Sequence, residues 1–140
     1  MENIRIDHLN FSVNDFQESL EFYNKVFGFE LVESGYGTNK AKWGILKSGE
    51  CMLAISEQKK RVQYEGPKYH KLNHMAFRLT DEELFAQKVK EYKLKTSYNS
   101  PVNYPFSNSW YVTDPSGNSI EVVFWQDDVV RFPENQITRF

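Results

Sequence analysis

Ile6–Val13 reads IDHLNFSV and Leu72–Leu79 reads LNHMAFRL. Both octets place a histidine third and a phenylalanine sixth, and between them they use two of the chain's three histidines. In the first, Leu9, Phe11 and Val13 alternate with His8, Asn10 and Ser12, which is the period of a strand with one packed face and one polar face. The histidines stand 66 residues apart (74 − 8), longer than solenoid repeats usually run.

The segments downstream of the two octets also match. After the first, Asn14 and Gln17 have the spacing of a helix cap and its reciprocal partner. Phe16, Leu20, Tyr23 and Phe27 then recur at helical intervals, and Gly28 is a natural stop. Strands are predicted at 29–33, 41–47 and 51–56, punctuated by glycines at 35, 37, 44 and 49. Residues 58–71 read as a polar connector. After the second octet, Thr80 and Glu83 repeat the cap signal, and Leu84, Phe85, Val89 and Tyr92 mark a helix. Strands are predicted at 94–98, 107–112 and 119–125. Asp114-Pro115-Ser116-Gly117-Asn118 supplies turn chemistry, with Pro presetting φ and Gly allowing its positive values. The order β-α-β-β-β occurs twice. The expected architecture is an α+β fold in one domain, 1–140: module one 4–57, connector 58–71, module two 72–125 and a C-terminal tail 126–140.

Bulk properties narrow the function classes. The chain has 140 residues, enough for a real core. With 17 basic against 19 acidic residues, net charge −2, there is no electrostatic argument for nucleic acid or a membrane surface. One cysteine, Cys51, cannot form an internal disulfide, and MENIRIDHLN has no apolar signal core. The expected location is the cytoplasm.

NSIEVVFW, Asn118–Trp125, carries the third notable residue. Glu121 interrupts an otherwise apolar strand, and a buried carboxylate requires a cation or strong hydrogen bonds. His8, His74 and Glu121 are expected in the middle of three separate strands.

The segments IDHLNFSVNDFQESLEFYNKVFGFELV and SWYVTDPSGNSIEVVFW resemble the vicinal oxygen chelate superfamily: glyoxalase I, fosfomycin-resistance enzymes, extradiol dioxygenases and bleomycin-resistance proteins. The resemblance extends from Ile4 to about Trp125. It implies the glyoxalase/bleomycin-resistance/dihydroxybiphenyl-dioxygenase fold, in which two modules form a cup-shaped mixed sheet around a metal. His8, His74 and Glu121 match the ligand positions. The cofactor implied is one divalent ion, Mn, Fe, Ni, Co or Zn, with open positions for water and substrate. Tyr111 matches a tyrosine that acts beside the substrate.

Within the superfamily the residues discriminate. Glyoxalase I places a fourth ligand in the strand that here reads CMLAIS, which has no carboxylate. Extradiol dioxygenases place an acid–base histidine there, where this chain has Cys51. Fosfomycin-resistance enzymes match in length and triad. However, their threonine two residues after the first ligand is Asn10 here, their phosphonate-binding lysine has no counterpart in TSYNSP, and Arg131 is only a loose match for their final arginine. The leading expectation is a metal-dependent lyase or transferase acting on a small oxygen-containing molecule, with a thiol as candidate co-substrate. An Fe(II) catechol dioxygenase and a non-catalytic drug-binding protein are the alternatives. A homodimer is implied by the family.

Asn10, Arg78, Ser109 and Cys51 are the substrate-binding candidates. Arg78 shares strand parity with His74, the competing role being a rim ion pair. Ser109 shares parity with Tyr111, against a hydroxyl that satisfies a strand end. Cys51 is a reactive thiol or, more ordinarily, a buried inert one. Trp43, Trp110 and Trp125 line a pocket or fill the core, and His70 is a mobile acid–base group or a solvated loop histidine. The tail, with Phe132, Ile137 and Phe140, covers the cup or a partner. The loops at 35–42 and 97–107 are expected to shape the cup.

Overall fold

The structure, a computed structural model, describes residues 4–60 and 71–133. His70, Ile137 and Phe140 lie outside the described residues. The chain divides into two compact units, one on either side of position 69. Each is a β-α-β-β-β module with a four-stranded mixed sheet and one helix.

In the first unit the order is β1 (Leu9–Val13), α1 (Phe16–Phe27), β2 (Glu30–Tyr36), β3 (Lys42–Ser48) and β4 (Cys51–Glu57). The sheet runs β1-β4-β3-β2, with β1 parallel to β4 and the other pairs antiparallel. Parallel pairing of β1 with the last strand needs a crossover, and α1 with the β2–β3 hairpin fills it. The core lies between α1 and the sheet. Phe16, Tyr23 and Val26 from the helix meet Leu46, Leu53 and Ile55 from β3 and β4, all at most 3% exposed.

The second unit repeats this plan with β5 (Met75–Arg78), α2 (Glu82–Glu91), β6 (Lys95–Tyr104), β7 (Ser107–Thr113) and β8 (Ser119–Trp125), ordered β5-β8-β7-β6. Its core joins Phe85 of α2 to Val112, Ile120, Val122 and Phe124. No helix among the described residues is long and apolar enough to cross a membrane.

Both caps fall one residue later than the sequence pattern indicates. Asp15, not Asn14, caps α1 by accepting the Glu18 N–H at 2.9 Å, and Asp81, not Thr80, caps α2 by accepting the Leu84 N–H at 2.9 Å. Each aspartate also sets a negative charge at the positive helix end, but asparagine and aspartate are comparable caps, and the seating of the helix selects the position. α1 closes on Gly28 at φ 71°, in the left-handed region that glycine adopts without strain. The β5 strand is shorter than expected, and β1 and β5 both begin one residue after their histidines, so His8 and His74 sit at strand entrances rather than mid-strand.

Two contacts set how α1 seats on its sheet. Glu57, at the end of β4, accepts the Phe16 N–H at 2.9 Å and pairs with Lys59 at 3.2 Å. That hydrogen bond, helped by Lys59, holds the Glu57 carboxyl below its ordinary value of 4.5. Gly44 of β3 lets Phe16 approach the strand: a Cβ there would lie 2.7 Å from the Phe16 ring and 2.8 Å from Leu31 Cδ1.

Gly44→Ala is expected to lower stability by about 1–3 kcal/mol through this overlap, measured by urea unfolding. Glu57→Gln removes the charge and keeps the shape. Because the folded-state value is depressed, the charge stabilises above pH 4.5 and this contribution is lost as pH falls through the folded value. The variant should therefore be about 0.5–1 kcal/mol less stable at pH 7, and the gap to the parent should close in acid.

Candidate metal centre

The second unit gathers its polar residues on one face of its sheet. In β8, Ile120, Val122 and Phe124 turn to the helix and are buried, so Glu121, Val123 and Trp125 turn the other way. Glu121 lies opposite Tyr111 in antiparallel β7 and opposite Ala76 in parallel β5. Tyr111 and Ser109 therefore share its face, as does His74, two residues before Ala76.

The side chains meet there. His74 Nε2 lies 3.0 Å from Glu121 Oε2. Ser109, 1% exposed, donates its hydroxyl to Glu121 Oε1 at 2.7 Å, and the Tyr111 hydroxyl donates to the same oxygen at 3.4 Å. The Tyr111 ring stands edge-on to the His74 ring at 6.2 Å between centroids. Hydroxyls thus anchor one carboxylate oxygen and leave the other turned to the imidazole. Burial, the hydrogen bond shared with the Tyr104 hydroxyl and the Glu121 charge all push the Tyr111 phenol well above its usual value. It stays protonated at neutral pH and is a donor, not a phenolate.

An imidazole nitrogen and a carboxylate oxygen facing each other are two donors of the kind that zinc, iron or manganese accept. Among the described residues no three His, Cys, Asp or Glu side chains are gathered into a ready-made cluster; the second unit gathers two. His8 belongs to the first unit, where its Nδ1 lies 2.7 Å from Asp7 Oδ2. A carboxylate on the far ring nitrogen orients a histidine so that Nε2 is presented outward, as in carboxylate–histidine–metal arrangements.

The first unit lacks its own counterpart of Glu121. His8 precedes a strand whose Asn10 pairs with Ala54, just as Ala76 pairs with Glu121. Ala54 fills the equivalent place with a methyl group and is 6% exposed. Asn10 is exposed on the same face as His8.

Two substrate-binding candidates are redirected. Cys51 is exposed rather than buried. It has the strand parity of Leu53 and Ile55, the buried residues under α1, so it stands on the face opposite Asn10 and Ala54. Partial desolvation pushes its thiol up, away from thiolate character. Arg78 does share the face of His74, but its guanidinium turns to Asp128 at 3.6 Å, the rim pairing. Arg131 stacks on Phe106 at 4.3 Å and bonds Gln126 at 3.2 Å. Trp110 lies on the helix side, donating to Glu82 at 3.0 Å. Phe132 of the tail packs edge-on against Trp125 at 5.5 Å.

Sequence reasoning missed Tyr98 and Tyr104. The Tyr104 hydroxyl lies 3.1 Å from that of Tyr111, and the Tyr98 ring packs on Tyr111 at 5.0 Å. Both come from β6, which continues through Tyr104, so the expected 97–107 loop is mostly strand. Only the register of β6 against β7 puts them beside Tyr111, and no local signal announces that register.

Ser109→Ala leaves Glu121 without its shortest hydrogen bond. It is expected to cost about 1.5–3 kcal/mol in urea unfolding. In a Glu121→Leu background the same change should cost much less, and the difference measures the coupling.

Comparison with known proteins places these features in a family. The Glyoxalase/Bleomycin resistance protein/Dioxygenase superfamily model matches residues 5–122. Metallothiol transferase FosB of Staphylococcus epidermidis is 29% identical over 124 residues, covering 87% of this chain and 82% of the relative. FosB of Lysinibacillus sphaericus is 28% identical over 122 residues, covering 83% and 79%. Among solved structures, a glyoxalase family protein from Enterococcus faecalis superposes with TM-score 0.74 at 21% identity, covering 85% of this chain and 96% of that one. The fosfomycin resistance protein FosX from Listeria monocytogenes, in complex with Mn(II) and sulfate, superposes with TM-score 0.65 at 16% identity, covering 88% and 93%. With the family model spanning both units, this chain belongs to the Glyoxalase/Bleomycin resistance protein/Dioxygenase superfamily.

Proposed function

We propose that this protein is a divalent-metal-dependent enzyme that adds a nucleophile, a thiol or water, to a small oxygen-containing molecule, or isomerises one. The observation that carries this reading is Glu121: a carboxylate inside an apolar strand, held by Ser109 on one oxygen and facing His74 Nε2 with the other. A carboxylate so held is suited to a cation, and His74 Nε2 beside it is a second ligand of the right softness. His8, presented by Asp7, is the third ligand in this reading.

Bound there, the ion would act as a Lewis acid on a substrate oxygen. The chain's own groups do the rest. Tyr111, protonated and adjacent, would turn its single O–H from Glu121 to the oxyanion that develops, while Ser109 still holds Glu121. Ser109 keeps Glu121 in place throughout. Names of the relatives favour thiol transfer: the curated ones are metallothiol transferases. The dioxygenase alternative is weakened by β4, where Met52, Ala54 and Ser56 share the face of Asn10 and none is an acid–base group, while Cys51 has the opposite parity.

Metal analysis after reconstitution with Mn, Fe, Co, Ni or Zn is expected to give about one ion per chain. Affinity should fall by more than about 100-fold in His74→Ala and Glu121→Gln, beyond what loss of a supporting partner causes. Thiol consumption in the presence of a small epoxide should require the ion. No ion under any condition would end the enzyme reading. Ligand binding that survives chelation and Glu121→Gln would favour a sequestering protein, and oxygen uptake with a catechol the dioxygenase.

A further inference from the structure

The pairing of β6 with β7 is irregular at one place, and that place borders Tyr111. Between Ser97 and Val102, five steps along β6 cover what two steps, Tyr111 to Ser109, cover on β7. The excess is a bulge, which disrupts the ladder locally. Tyr98 and Asn99 within it have φ of 58° and 53°. Asparagine tolerates this left-handed region; a bulky tyrosine is strained there. Ser97 and Tyr111 are register partners at the edge of the bulge, and one side-chain oxygen joins them. The Ser100 hydroxyl accepts the Tyr111 N–H at 2.8 Å and donates to the Ser97 carbonyl at 2.6 Å. A hydroxyl can accept and donate through the same atom; a methyl group does neither.

What this clamp holds is Tyr111. The Tyr98 ring stands edge-on to the Tyr111 ring at 5.0 Å, and past the bulge the Tyr104 hydroxyl meets that of Tyr111 at 3.1 Å. Both neighbours are carried by the strand that Ser100 shapes. On the helix side, β7 is tied through Trp110 to Glu82 at 3.0 Å. On the β6 side the ladder is broken at this level, and the Ser100 bonds supply the restraint. The restraint matters because the Tyr111 hydroxyl lies 3.4 Å from Glu121 Oε1, at the long end of a hydrogen bond. A small shift of β7 therefore decides whether this O–H reaches the carboxylate, or a substrate oxygen beside it, and misplacement on that scale is costly to a reaction.

We propose that Ser100 is the positioning residue of Tyr111: its hydroxyl, set between the Tyr111 N–H and the Ser97 carbonyl, fixes β7 so that the Tyr111 phenol stands beside Glu121 and His74. This rests on the reading of Tyr111 as the hydrogen-bond donor of the reacting centre. Ser100 acts through Tyr111 and not on the substrate.

Two measurements separate placement from chemistry. In metal-free protein with isotope-labelled tyrosine rings, nuclear Overhauser contacts from Tyr111 to the Tyr98 and His74 rings are expected in the parent and in Ser100→Thr, and should be lost in Ser100→Ala. Contacts that persist in Ser100→Ala overturn the proposal, as does their absence from the parent. In Mn(II)-loaded protein given mercaptoethanol and propylene oxide, Ser100→Ala should lower kcat about tenfold with KM within about twofold, and Ser100→Thr should stay within about threefold of the parent. In a Tyr111→Phe background, Ser100→Ala should change kcat by less than about twofold. The same tenfold loss there would mean a general loosening of the sheet and overturn the proposal. If the parent consumes no thiol, the reading of the centre fails separately. The ring contacts then decide alone: loss in Ser100→Ala with retention in Ser100→Thr supports the clamp, and persistence overturns it. Should Ser100→Ala not fold, Ser100→Cys, a weaker donor and acceptor, is read by the same criteria.

Discussion

A carboxylate in an apolar strand has to be solvated by the protein, and in this chain Glu121 imposes that demand on the second sheet. Its neighbours across the sheet answer it. Ser109 and Tyr111 donate to one oxygen from β7, and His74 reaches the other from the entrance of β5. Because β7 is antiparallel and β5 parallel to β8, one residue of β8 meets partners from both sides at the same level. Replacing any one of them leaves a polar group without its partner in a part-buried place, which is costlier than the bond itself.

The two modules share a plan and differ where chemistry is concerned. Each begins a strand directly after a histidine, caps its helix with an aspartate and returns its last strand parallel to its first. At the position of Glu121, however, the first module has Ala54. The helices are also tied down differently. Glu57 reaches from β4 to the first N–H of α1, whereas Glu82, on the first turn of α2, accepts hydrogen bonds from Asn108 and Trp110 of β7. That second tie fixes the side of β7 opposite Ser109 and Tyr111, so α2 indirectly holds the strand that carries the donors to Glu121.

Two residues outside glycine with left-handed backbone, Tyr98 and Asn99, lie beside this cluster. Most of the second sheet is regular, yet β6 departs from it at Tyr98 and Asn99, directly beside Tyr111. A bulge bends its strand and re-aims side chains that a flat ladder would send elsewhere. Here it changes the parity of β6, so Ser97 before it and Val102 and Tyr104 after it all fall on the Glu121 face.

Side-chain period, cap chemistry and turn residues are local properties, and they made both modules, the helices, the Asp114–Asn118 turn and the isolation of Glu121 legible from the amino-acid sequence. The same local rules gave the shared face of Ser109 and Tyr111, because parity within a strand needs no partner. They misplaced the caps by one residue, since adjacent Asn14 and Asp15, or Thr80 and Asp81, offer competing acceptors and only the seating of the helix chooses between them. What needs two strands at once was not legible. The register that sets Glu121 against Tyr111 and Ala76, the parity that turns Cys51 away from Asn10, the ion pair that diverts Arg78 to Asp128 and the bulge that brings Tyr98 to Tyr111 all depend on residues far apart in the chain. The sequence determined which residues are available for chemistry; tertiary pairing decided which of them meet, because a hydrogen bond between strands depends on register and register is a property of the pair.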